Sequence, residues 1–149
     1  AARACRDRSH VPYSKFRAGA AVACGDEIVP GVIVENVSLG LAMCAERVAL
    51  FSTVATGAGR PEILALVSRR TNGKLTWPCG ACLQVAMELG GPDLVIAASD
   101  GNTTEARHLH ELAALAHRVE TEKLGLQCGI QDQICSAYGG LSMMLCGIF

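Results

Sequence analysis

Two short, uninterrupted apolar runs, Ile63–Val67 and Leu94–Ala98, limit the folds open to this chain more than any other feature. A strand without polar alternation is one whose two faces are both covered, so each run predicts a buried strand inside a larger sheet. Between them lies a helix-length segment, Cys79–Leu89, entered through Pro78 and ended by Gly90-Gly91. Upstream, Cys44–Thr56 is the clearest helix: Val48, Phe51, Val54 and Ala55 recur at helical spacing, and Gly57 with Gly59 ends the run. Downstream, Leu112, Leu115, Ala116 and Val119 predict a third amphipathic helix reaching Lys123.

The front of the chain predicts a short, mostly exposed helix over Ala1–Ser9, stopped at Val11-Pro12-Tyr13-Ser14 because Pro12 cannot continue it. Ala18–Cys24 and Glu27–Val34 read as a hairpin around Gly25-Asp26, with Pro30-Gly31 marking a bulge or kink. Thr71–Lys74 is a loop, and Asp100-Gly101 closes the second buried strand. Hairpin, helix, strand, helix, strand, helix is an alternating α/β order, which buries a central sheet most economically with helices on both faces. At 149 residues, half of them apolar, the chain is long enough for one core and one domain.

A formal charge of -1 excludes binding driven by a strongly basic surface, and 4% aromatic residues exclude a stacking platform for single strands. Neither a nucleic acid nor a membrane is therefore expected as partner. No apolar stretch has the length of a membrane span and no leader is visible, so the expected compartment is the cytoplasm. In that setting eight cysteines, including a Cys-x-x-Cys pair, point to a metal site rather than to disulfides.

Two pieces carry the chemistry: Cys44-Ala45-Glu46 and Pro78-Cys79-Gly80-Ala81-Cys82. Each cysteine that opens a predicted helix meets unpaired N–H groups and the positive end of the helix dipole, which favour thiolate over thiol. Thiolates are zinc ligands, and Cys79 and Cys82, three residues apart, can grip one ion, with Cys44 as a third ligand. Three protein ligands leave a tetrahedral position open, as catalytic zinc sites do. Glu46 need not be a ligand, so its carboxylate is free to shuttle protons. Three thiolates outweigh a divalent ion by one negative charge, and Arg47 is the expected compensating partner of the ligand sulfurs. Cys5, Cys24, Cys128, Cys135 and Cys146 read as small apolar residues. His10, His108, His110 and His117 form no competing ligand pattern. Taken alone, a Cys-x-x-Cys is more often a structural zinc half-site or a pair of buried thiols than part of a catalytic site.

Cys-x-Glu followed by Pro-Cys-x-x-Cys is the signature of zinc-dependent base deaminases. With Val11-Pro12-Tyr13-Ser14-Lys15-Phe16-Arg17-Ala18-Gly19-Ala20-Ala21-Val22, Val34-Glu35-Asn36, Cys44-Ala45-Glu46-Arg47 and Pro78-Cys79-Gly80-Ala81-Cys82-Leu83-Gln84, the chain resembles the cytidine deaminase family, in its small, tetrameric, three-cysteine branch. The likeness runs from Arg3 to Leu112. It implies a three-layer α/β/α fold on a five-stranded mixed sheet, a homotetramer, and sites at subunit boundaries. It also implies Cys44, Cys79 and Cys82 as zinc ligands and Glu46 as the catalytic acid/base. Phe16 would pack on the pyrimidine, Glu35 would bind the ribose 3′-hydroxyl, and the Ala45 backbone would contact the base. The implied reaction is hydrolytic deamination of cytidine or deoxycytidine to the uridine product and ammonia, with zinc and no organic cofactor.

Three positions depart from the family pattern. Ile33 replaces a ribose-binding Asn, Leu39 stands where an aromatic is common, and Leu83 where an Arg often follows the second zinc cysteine. These leave open a modified cytosine nucleoside of the blasticidin S type as substrate, or a ligand-binding protein whose zinc is structural. The chain thus divides into a deaminase-like domain, 1–112, and an atypical tail, 113–149. Arg118-Val119-Glu120-Thr121-Glu122-Lys123-Leu124-Gly125, Gly129-Ile130-Gln131-Asp132-Gln133 and Ser136-Ala137-Tyr138-Gly139-Gly140 resemble a fragment of galactokinase and mevalonate kinase-type enzymes, with Asp132 at their catalytic aspartate. The phosphate loop those enzymes need is absent from the sequence, so kinase activity is not expected.

Overall fold

The computed structural model describes residues 1–112. The predicted continuation of a helix to Lys123 and the kinase-like stretch with Asp132 lie outside the described residues, as do His117, Cys128, Cys135 and Cys146. Among the described residues the elements are α1 (Ala2–Cys5), β1 (Ala18–Cys24), β2 (Glu27–Val32), α2 (Ala45–Thr56), β3 (Ile63–Ser68), α3 (Gly80–Gly90), β4 (Val95–Ser99) and β5 (Thr104–His108). The strands form one five-stranded mixed sheet in the order β2-β1-β3-β4-β5. Only β3 and β4 pair in parallel, with α3 as their crossover; the other three pairings are antiparallel.

Register puts Ala20, Val22, Leu64, Leu66 and Ile96 on one face of the sheet. That face is covered by Ala45, Ala49 and Leu50 of α2 and by Ala86 and Met87 of α3, which together make the main core. On the opposite face Ala21 and Val67 pack with Ala2 of α1 in a smaller cluster. The two apolar runs are therefore the sheet's centre, as their composition predicts. Their second face is less covered among the described residues than expected: Ile63 is 44% exposed and Ala65 only half-buried.

Three features depart from the sequence reading or go beyond it. Pro30-Gly31 makes no bulge, because β1 and β2 pair residue for residue from Gly19–Val32 to Cys24–Glu27. Pro30 is tolerated because β2 is an edge strand, where a missing N–H costs no ladder bond. Gly31 has a packing reason: a Cβ there would overlap the Ala45 carbonyl and the Ala49 amide of α2. The second is the face of α2, which helical spacing left open. Phe51 and Val54 are 46% and 64% exposed, while Ala45, Glu46, Ala49, Leu50 and Thr53 are buried. The helix sits so close to β2 that only small side chains fit beneath its first turns. The third is β5, which the apolar pattern did not reveal, since all five residues of this edge strand are exposed. Its turn is held by Asp100, which accepts hydrogen bonds from the Asn102 and Thr103 amides at 2.9 and 2.8 Å and from Arg70 Nε at 2.6 Å. Those bonds keep the Asp100 carboxyl well below the usual carboxylate range.

Because α2 is seated on the backbone of Gly31, Gly31→Ala should destabilise the folded protein by about 1–3 kcal/mol, the usual cost of overpacking. Gly40→Ala, where a Cβ meets open space, should leave the urea unfolding midpoint unchanged. Equal midpoints for the two variants would contradict this account of the contact.

Candidate metal centre

The helices α2 and α3 begin at the same end of the sheet. α3 follows the C-terminal end of β3, and α2 runs back toward the start of β3, so their N-termini converge. The N-cap residues are Cys44 and Cys79, both in extended backbone conformation and neither using its side chain as a cap. Their sulfurs are thus left free at two helix N-termini. Cys82, buried on the first turn of α3, completes the group, and the three sulfurs lie within 4.8 Å of one another. No further His, Cys, Asp or Glu joins them among the described residues.

This donor set fits zinc. A tetrahedral ion with Zn–S bonds of about 2.3 Å would hold its sulfurs about 3.8 Å apart. The Cys44–Cys79 and Cys79–Cys82 separations are 4.0 and 3.4 Å, on either side of that value. None of the five cysteines among the described residues is in a disulfide.

The electrostatics follow from crowding. The neighbouring Cys82 thiol, with Arg47, pulls the Cys44 thiol down to about 5 against the opposing effect of burial. The same contact pushes Cys82 up. Arg47 Nη2 lies 3.6 Å from Cys44 Sγ, where the sequence expected a compensating cation. Glu46 is buried at 5% exposure on the first turn of α2, and burial pushes its carboxyl up, so that it keeps a proton to higher pH than an ordinary carboxylic acid.

The residues expected to meet a substrate cluster at the same end. Ala18 pairs with Ser68 and Gly19 with Val32, so the start of β1 lies beside the ends of β2 and β3. Phe16 precedes β1, half-buried against the main core, just after a turn in which Lys15 has φ 58°. The segment after β2 is pinned on both sides: Glu35 N donates to His10 O at 2.8 Å, and Val34 and Met43 exchange bonds of 2.9 Å. That second pairing delivers the chain to Cys44. The Glu35 carboxylate accepts hydrogen bonds from the Tyr13 amide at 2.9 Å and the Ser14 amide at 3.3 Å. Hydrogen bonds from Ser14 and Tyr13 hold it below the usual carboxylate range. Ile33 packs against the core, and Ala45 is fully buried at the first position of α2. Leu39 is 86% exposed in a 3-10 turn, Leu39–Leu41. One neighbour was missed by sequence reasoning: the Arg69 guanidinium lies 5.2 Å from the Phe16 ring centroid. No local signal could have found it, because the two residues meet only through β1–β3 pairing.

Comparison with known proteins agrees with this geometry. The family described as "Cytidine and deoxycytidylate deaminase zinc-binding region" matches residues 1–98. A cytidine deaminase of Mycobacterium tuberculosis is 45% identical over 89 residues, covering 59% of this chain and 65% of that protein. The chain thus spans just under two thirds of that relative's length. A probable cytidine deaminase of Dictyostelium discoideum is 40% identical over 105 residues, covering 69% of this chain and 70% of that protein. The crystal structure of a cytidine deaminase from Burkholderia pseudomallei superposes with a TM-score of 0.68 at 40% identity, over 74% of this chain and 89% of that one.

A lowered thiol pKa preserves thiolate below the ordinary range and loses it only as pH falls through the lowered value. In metal-free protein, Cys44 should therefore react with iodoacetamide almost as fast at pH 6 as at pH 8, whereas an ordinary thiol slows roughly fifty- to a hundredfold over that interval. Peptide mapping of the labelled protein reads the rate at Cys44. An ordinary fall-off there would disprove the assigned thiolate, and zinc should protect the site.

Proposed function

This chain belongs to the cytidine and deoxycytidylate deaminase zinc-binding family, and from that membership we propose that it hydrolyses the exocyclic amine of cytidine or deoxycytidine. The observation that carries the reading is the buried Glu46, two residues from Cys44 on the helix whose N-cap joins the three-sulfur group. A structural zinc site has no use for a buried, proton-holding carboxyl at its side.

Cys44, Cys79 and Cys82 would hold the zinc. When bound, zinc supplies the Lewis acidity that makes water a nucleophile at neutral pH. Glu46, protonated through burial, donates its proton to N3 of the pyrimidine as C4 is attacked. It then takes up the two protons of the attacking water in turn, passing one to the departing amine, which leaves as ammonia, and keeping the other, which restores the starting carboxyl. Arg47 offsets the excess charge of the sulfurs from 3.6 Å. Ala45 offers the base a main-chain contact, and Phe16 offers its ring face. Glu35, oriented by the Tyr13 and Ser14 amides, keeps spare lone pairs for a sugar hydroxyl.

Ile33 favours a second reading, a cytosine nucleoside with a modified sugar. Its side chain joins the core and has no hydrogen-bonding group for a ribose hydroxyl. Assembly as a homotetramer is supported by large apolar side chains left in water: Phe51 and Val54 on α2, with Val37, Leu39 and Leu41 in the preceding loop.

With zinc-loaded protein, loss of cytidine absorbance tests the reaction, and Glu46→Ala should lower turnover at least about 10²–10⁴-fold while zinc content is unchanged. Near-normal turnover in that variant would end the assigned role. Light scattering should find four chains per particle, and fewer in Phe51→Glu; a wild-type monomer would refute the assembly.

A further inference from the structure

The guanidinium of Arg69 has a single described neighbour of consequence. It stands 5.2 Å from the centroid of the Phe16 ring, within the range at which a cation is drawn to an aromatic face. Among the described residues it makes no ion pair and no hydrogen bond. The adjacent Arg70 is spent differently, on Asp100 at 2.6 Å and the Gly73 carbonyl at 3.0 Å. Arg69 is also held where it is: its carbonyl accepts hydrogen bonds from Thr76 Oγ1 at 2.9 Å and Ser68 Oγ at 3.2 Å. Thr76 is three residues from Cys79, so the same short segment ties Arg69 to the metal-binding helix start. Phe16, by contrast, enters from the segment that precedes β1, with only partial burial against the core.

We infer that Arg69 is a positioning residue for the base pocket, its guanidinium backing one face of Phe16 so that the ring is held for a flat pyrimidine. The inference rests on the deaminase reading above. An aromatic ring has two faces, and a cation on one leaves the other for stacking. Arg69 then acts through Phe16 on substrate affinity and leaves the chemical step to Glu46 and the metal centre.

Steady-state kinetics on zinc-loaded protein separates this from a structural role. Arg69→Leu should raise KM for cytidine roughly 2- to 5-fold, the scale of an exposed cation–π contact, with kcat unchanged. Arg69→Lys should recover part of the loss. In a Phe16→Leu background, Arg69→Leu should add nothing. An unchanged KM in Arg69→Leu, or the same effect with and without Phe16, overturns the positioning role while wild-type turnover leaves deamination standing. Absence of wild-type turnover overturns deamination instead; uridine binding by calorimetry to wild type and Arg69→Leu then decides the Arg69 role, equal affinities rejecting it. Arg69 is exposed, so the variant should fold, and equal urea midpoints and zinc contents check that it does.

Discussion

Three sulfur atoms within 4.8 Å of one another cannot all carry charge without a counterion, and the rest of this molecule is arranged around that fact. Left to themselves they divide the burden: Cys44 is driven toward thiolate and Cys82 away from it. A divalent cation resolves the conflict by accepting all three as ligands, and Arg47 and two helix N-termini supply further positive potential. Membership of a zinc-binding deaminase family is the biological form of the same electrostatic argument.

Bringing those sulfurs together is the work of the sheet. The β3–α3–β4 crossover sets the start of α3 at the C-terminal end of β3, and α2 is seated against the backbone of Gly31. A close helix-to-strand approach needs small residues, which explains the alanines beneath α2 and the glycine in an edge strand. It also explains why the bulkier Phe51 and Val54 face outward: the inner side has no room for them. The buried position of Glu46 is a by-product of the same seating, and its raised pKa follows from burial.

The proposed substrate side is assembled from strand ends instead. Phe16 enters before β1, Ile33 and Glu35 leave β2, and Arg69 leaves β3, all at one end of the sheet. Glu35 is oriented by amides of the loop that Pro12 begins, so the motif around Tyr13 and Ser14 is a scaffold for a carboxylate. Ile33 has its main chain in the same network, accepting from His10 at 3.0 Å, but its side chain belongs to the core.

The metal centre was legible before the fold because its grammar is local. Cysteine at a helix start, a glutamate two residues on, and a second pair at Cys-x-x-Cys spacing each act within one turn of backbone, and the two apolar runs announce buried strands by composition alone. The wholly exposed β5 carries no such pattern, since an edge strand pairs through backbone that any sequence possesses. Nor could helical spacing say which side of α2 faces inward, because Phe51 and Val54 recur as regularly as Ala45 and Ala49, and only the closeness of Gly31 chooses between them. The Arg69–Phe16 contact likewise exists only once β1 and β3 are paired. Local chemistry was written in the sequence; the choice of buried face, the edge strand and the long-range contacts were decided by packing, which depends on distances that sequence order does not contain.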